Sequence, residues 1–198
     1  HDSHNSNIIS GDESWFFYMH QPRGRWVLNG EKPGQKVKLS RFQKKKMVTI
    51  FIKRNGEFFV DFSPQGKTFD TEYFTTSILP QIKKLAFPNG HHKGDKKALV
   101  HFDNARPHKS RRSQKAFADY PFKAVPNPEY SPDVSPLYFG VFGTVKNMMP
   151  IGTIESDEEL KETITSILNE LGPEFIKNCF SSWEKRLQEA IDTNGDYI

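Results

Sequence analysis

The sequence predicts an α/β domain: a central five-stranded mixed sheet flanked by helices. Three observations carry that expectation. Hydrophobic periodicity runs β-β-β-α-β-α-β-α-α along the chain. A short apolar strand in mid-chain, residues 98–103, ends in a carboxylate, Asp103. The length of 198 residues suffices for one medium domain with a real core, and a hydrophobic content of 35% argues against disorder.

In order, residues 7–20 read as the first strand. Ile8, Ser10, Asp12 and Ser14 alternate with Ile9, Gly11, Glu13 and Trp15. A long central strand suits that pattern, with Asp12 facing the site and Glu13 facing away. Gly11 beside the Asp permits a close approach of backbone or ligand. Residues 21–45 hold Pro22, Gly24, Gly30, Pro33 and Gly34 and little periodicity, so they read as a loop, with Arg25-Trp26-Val27-Leu28 a candidate short strand. So long an irregular stretch inside a compact domain is usually functional. Met47 to Ile52 is strongly β. Asn55-Gly56 then signals a hairpin into Phe58 to Phe62.

Asp70 caps a helix through about Leu85, and Pro80 is expected to kink it. His91-His92 invites a metal reading but reads as surface loop. After the strand at 98–103 comes a basic helix at 106–120, a short strand at 122–125 and a rigid Pro-rich loop at 126–132. A helix then starts at Val134 or Pro136 and runs to Met148. Ser156-Asp157-Glu158-Glu159 is a capping box. Gly172-Pro173 stops one helix and starts the next. The stripe Phe175, Ile176, Cys179, Phe180, Trp183, Leu187 and Ile191 is core, not a cofactor box.

Composition excludes several classes. The single cysteine, Cys179, rules out an intrachain disulfide and any Cys-rich zinc site. No apolar run approaches the roughly 20 residues a membrane span needs, and no signal peptide is visible. Charge is uneven: residues 22–46 hold nine Lys or Arg against Glu31 alone, whereas the last 46 residues hold eleven acidic against four basic side chains. That asymmetry suits a polyanion bound on one face; a solvated loop is the plainer alternative. Asp103 likewise has two readings, as cap of the helix after it or as ligand of a metal ion.

Three blocks stand in order: Gly11-Asp12-Glu13-Ser14-Trp15, Asp103-Asn104-Ala105-Arg106-Pro107-His108, and Tyr130-Ser131-Pro132-Asp133-Val134-Ser135-Pro136-Leu137-Tyr138-Phe139. With the tail from Trp183 to Tyr197, they resemble the catalytic domain of mariner-type transposases of the Tc1/mariner superfamily, over nearly the whole chain. The resemblance implies an RNase H-like (retroviral integrase-like) fold filling residues 1–198 as a single domain. It implies a clamp-loop insertion at about 21–45 that reaches a partner subunit of a homodimer, and helix-turn-helix modules lying outside this chain. The chain opens without Met and reads as an excised domain. The resemblance also implies metal-dependent DNA cleavage and strand transfer on transposon ends and target DNA, a nuclear location, and carboxylates holding Mg²⁺ or Mn²⁺. Asp12 and Asp103 would be the first two carboxylates and metal ligands.

The third departs from the family pattern. Counting on by the family's spacing, 34 intervening residues after Asp103, lands on Tyr138. A phenol is neutral at physiological pH and bulkier than Asp, so it replaces a carboxylate poorly. Asp133 lies five residues earlier, about 140° away around a helix, and is not expected to substitute. The expectation is therefore a DNA-binding domain of the DDE/D class with impaired catalysis and weakly bound metal. Alternatives are an active transposase with an unusual third ligand, or a repurposed DNA-binding or dimerisation module. The DNA-contact candidates are Arg23, Arg25, Lys36, Lys38, Arg41, Lys44, Lys45, Lys46, His108, Arg111 and Arg112.

Overall fold

The computed structural model describes residues 7–20, 43–63, 69–91, 96–125, 127–128 and 131–193. Its sheet has five strands in the order β4-β3-β1-β5-β6. These are β1 (Ile8–Phe17), β3 (Lys45–Lys53), β4 (Phe58–Phe62), β5 (Ala98–His101) and β6 (Phe122–Val125). β1, β3 and β4 form an antiparallel meander, and β5 and β6 add in parallel to the other edge of β1. A separate ribbon pairs β2 (Met19–His20) with β7 (Gly152–Thr153). The expected first strand thus breaks at Tyr18, between β1 and β2.

Alternation sorts the two faces of the sheet. Ile8, Phe16, Val48, Ile50, Ile52 and Val60 point to one face. They meet α4 (137–148) and α5 (Asp157–Asp192), which contribute Leu137, Val141, Leu160, Ile164 and Phe180. Ile9, Phe51, Val100 and Phe122 point to the other face, against α1 (71–86) with Phe74, Ile78 and Ile82. Phe51 explains Gly11: a Cβ there would stand 2.1 Å from the Phe51 ring. The close approach expected at Gly11 is therefore made by a core ring. Gly56 sits at φ 101° in the β3–β4 turn, a conformation open to glycine and strained for other residues.

The helices hold more irregularity than periodicity suggested. Asp70 caps α1 by accepting from the Tyr73 N–H, as expected. The kink expected at Pro80 takes the form of a π-helical stretch, Phe74–Ile78, immediately before it. Proline cannot donate back to the previous turn, and a widened turn accommodates that loss. The basic helix expected at 106–120 is two helices, α2 (Arg106–Lys109) and α3 (Arg111–Ala118). Ser110 breaks it: its backbone is extended, at ψ 148°, and its hydroxyl caps α3 by accepting from Ser113 N–H at 3.1 Å. A 3₁₀ turn, Pro132–Val134, leads into α4, whose first part, Leu137–Phe142, is again π-helical. In α5, Gly172 leaves helical geometry at φ 73° ahead of Pro173, so the two expected helices meet at a kink. Ser156 caps α5 from Glu159 N–H, while Glu159 reaches back to Glu155 N–H, one residue before the cap.

Candidate functional site

β5 is four residues long and β1 is ten, so β1 overhangs the C-terminal end of its parallel neighbour. The last paired residues are Ser10 and His101. Two residues further on, Asp12 and Asp103 both line an open cleft of about 550 Å³. Glu13, Asn104, Lys109, Asn127, Ser135 and Tyr138 line it as well. The cleft opens beyond the carboxyl ends of parallel strands, the usual place for sites in such sheets. Asp103 was expected to end the strand; it stands two residues past it, in the turn to α2.

Asp12 accepts from the Glu13 N–H at 2.7 Å and from the Ser135 hydroxyl. Burial and the charge of Asp103 nevertheless push its carboxyl up to about 6. Asp103 accepts from the Ala105 N–H at 2.9 Å and from His108 Nδ1–H at 2.8 Å. Burial works against its charge, but His108 and Ala105 outweigh it and hold Asp103 below the ordinary range. Asp103 therefore combines both sequence readings: a turn-capping carboxylate that also faces the cleft. Beneath it, His101 bridges the Ser10 hydroxyl at 2.9 Å and Asn127 Oδ1 at 3.1 Å, which ties the 127 loop to the strand ends.

Two expectations need correction here. Glu13 does lie on the opposite sheet face from Asp12, as alternation requires, yet it does not face away from the site. Among the described residues, no strand continues past the end of β5 to separate the faces. The turn at 102–105 carries α2 over, and α2 sets His108 against Glu13, with His108 Nε2 3.8 Å from Glu13 Oε1. Burial pushes the Glu13 carboxyl up to about 8, against a lowering by His108. His108 was expected to reach DNA. It is 4% exposed, enclosed by the rings of Phe74 and Phe102 at 4.7 and 4.8 Å, and turned inward to Asp103. Asp103 and Glu13 raise its pKa although burial opposes them. The sequence signal for both was the distance from Asp103 to His108 across a Pro-containing turn, which returns the imidazole to the carboxylate.

Tyr138 occupies the first part of α4 and is 57% exposed at the cleft rim. Asp133 is buried, its carbonyl accepting from Arg186 at 3.2 Å, and it is absent from the cleft lining. Of the DNA-contact candidates, Arg111 and Arg112 are exposed at the start of α3. The Lys44 ammonium lies 4.0 Å over the Tyr18 ring and that of Lys45 4.5 Å over Trp15. Lys46 is committed to Asp157, at 2.5 Å. Arg23, Arg25, Lys36, Lys38 and Arg41 lie outside the described residues, as do most of the expected clamp loop and its candidate strand.

The donor set suits a hard divalent cation. Three carboxylates converge on the cleft, and among the described residues the buried Glu13 Oε1 has no hydrogen-bond partner. Their mutual repulsion is what a cation relieves.

A sheet of this order with an acidic cleft at the ends of β1 and β5 defines an RNase H-like domain. A family model described as transposase (partial DDE domain) matches residues 16–92. The human histone-lysine N-methyltransferase SETMAR is 26% identical over 195 residues, covering 96% of this chain and 28% of that protein. The mariner Mos1 transposase of Drosophila mauritiana is 21% identical over 193 residues, covering 96% of this chain and 56% of that protein. Among solved structures, the Mos1 transposase paired-end complex with left transposon end superposes with a TM-score of 0.85 at 19% identity, over 99% of this chain and 57% of that one. Mos1 paired-end complexes with Mn and with Mg each give 0.84 at 19% identity, over 97% of this chain and 56% of theirs. The chain is similar to mariner-type transposase sequences over nearly its whole length, and it spans about a quarter to just over half of the length of these relatives. Among the described residues, no helix is long and apolar enough to cross a membrane.

Proposed function

We propose that this chain is the DNA-binding, DDE-type domain of a mariner-type transposase whose phosphodiester chemistry is impaired. It would act in the nucleus on transposon-end and target DNA, as a homodimer through the clamp loop in a longer protein. The observation that carries this reading is the convergence of Asp12, Asp103 and Tyr138 on one cleft. Two of the family's three acidic positions keep their charge, and the third holds an exposed phenol.

Asp12 and Asp103 would hold Mg²⁺ or Mn²⁺, as the names of the Mos1 complexes support. Bound there, a divalent cation supplies Lewis-acid stabilisation of charge at the scissile phosphate. The chain's own part is to fix the ligands: Ala105 N–H and His108 hold Asp103, while Glu13 N–H and Ser135 hold Asp12. Tyr138 adds no negative charge, so cation affinity and cleavage both fall. Arg111 and Arg112, with the basic run of 23–45, would contact phosphates without reading sequence.

The test is a nicking assay on supercoiled DNA with Mn²⁺, comparing the chain with Tyr138→Asp. Little cleavage by the chain and a gain with Tyr138→Asp are expected. Robust cleavage by the unmodified chain, abolished by Asp103→Ala, would favour an active enzyme with an unusual third ligand.

A further inference from the structure

We propose that the strongest cation site of this chain lies at the inner wall of the cleft, held between Glu13 and the imidazole of His108 with Asp103 orienting the ring, and selects Mn²⁺ or Zn²⁺ over Mg²⁺. The inference rests on the reading that the cleft holds a divalent cation, and adds a second place for one behind the Asp12–Asp103 pair.

Each of the three side chains offers a ligand atom, and those atoms all lie within 4.8 Å of one another. A transition-metal ion binds nitrogen and carboxylate ligands at about 2.0–2.2 Å, so two ligands of one ion stand about 3–4 Å apart. The 3.8 Å between Glu13 Oε1 and His108 Nε2 is such a separation, and is too long for a hydrogen bond. Independently of this spacing, both atoms are buried and have no hydrogen-bond partner among the described residues. The side chain of Glu13 is 10% exposed and that of His108 1%, so bulk water does not reach them. Such groups in the wall of an acidic cleft call for a ligand.

The arrangement also suits a metal-binding histidine. Such imidazoles usually give their other ring nitrogen to a carboxylate, which fixes the ring. His108 gives Nδ1–H to Asp103 at 2.8 Å, which leaves Nε2 for the ion beside Glu13. Asp103, with its side chain 42% exposed, opens the cluster to the cleft and gives an ion its way in. An imidazole nitrogen suits Zn²⁺ and is accepted by Mn²⁺, whereas Mg²⁺ demands oxygen donors. His101 does not compete, because Ser10 and Asn127 occupy both of its nitrogens.

The experiment titrates the metal-free chain with Mn²⁺ by calorimetry and records pulsed EPR of the bound ion. One tight Mn²⁺ with directly bonded ¹⁴N coupling is expected, changing to ¹⁵N coupling when histidine is ¹⁵N-labelled. Glu13→Gln should weaken binding by at least about tenfold, with its melting curve confirming a folded chain. His108→Asn should remove the nitrogen coupling; the labelling result stands even where that variant does not fold. Tight Mn²⁺ without nitrogen coupling, lost in Asp12→Asn and kept in Glu13→Gln, overturns this site and leaves the Asp12–Asp103 reading standing. No binding of Mn²⁺ or Zn²⁺ overturns both.

Discussion

His108 organises the chemistry of the cleft at the scale of single residues. It is buried between Asp103 and Glu13 and lowers both carboxyls: Asp103 falls below its ordinary range, whereas at Glu13 burial outweighs His108 and takes the carboxyl up to about 8. A titration of stability follows. Glu13, ordinarily at 4.5, and Asp12, raised from 3.8 to about 6, keep protons in the folded chain that the unfolded chain releases. Without divalent metal the folded state then binds more protons between about pH 4 and 8, so stability falls as pH rises through that window. His108, also raised, acts in the same direction; Asp103, lowered, is already ionised there and adds no slope. Thermal melts of the metal-free chain at pH 5 and pH 8 should show the lower melting temperature at pH 8, and Glu13→Gln should reduce the difference. A flat profile would show that Glu13 is ionised throughout.

Among the elements, α2 and α3 depend on one side chain. Ser110 ends α2, caps α3 and receives a hydrogen bond from Thr71 of α1 at 3.1 Å, so it joins three helices. Ser110→Ala should cost about 1–2 kcal/mol in denaturant unfolding, at the upper end for a lost cap because the Thr71 partner goes with it. The β1–β3 pairing rests on a steric fit. Gly11→Ala should destabilise by about 1–3 kcal/mol, since Phe51 is fully buried and has no room to retreat. Equal stability of Gly11→Ala and the parent would mean that the ring relocates without cost.

For the whole molecule, the asymmetry of charge is the feature that reaches a partner. Arg111 and Arg112 lie exposed at the start of α3, whereas Lys46 is paired with Asp157 in α5. DNA affinity should fall steeply with salt. Replacing Arg111 and Arg112 together by Ala should flatten the log–log salt slope by about two. Lys46→Ala should change the slope little and lower stability instead. Fluorescence anisotropy of a labelled duplex at several salt concentrations separates the two effects; an unchanged slope for the double variant would remove α3 from the interface.

The sequence by itself determined the sheet and its order of elements. Alternation at Ile8–Glu13 and Val48–Ile52, the Asn55-Gly56 turn and the caps at Asp70 and Ser156 are local signals, and each is found where local physics put it. It also pointed to two of the three carboxylates that line the cleft, Asp12 and Asp103, because their motif blocks sit at or just past strand ends. Tertiary structure decided the rest. Periodicity places Glu13 away from Asp12, and that holds only while a neighbouring strand keeps the faces apart. Where β5 stops at His101 the separation ends, and the α2 turn brings His108 from the opposite side to join Glu13 with Asp103. Strand length and the path of the following turn set that meeting, and neither is written in the spacing of apolar residues.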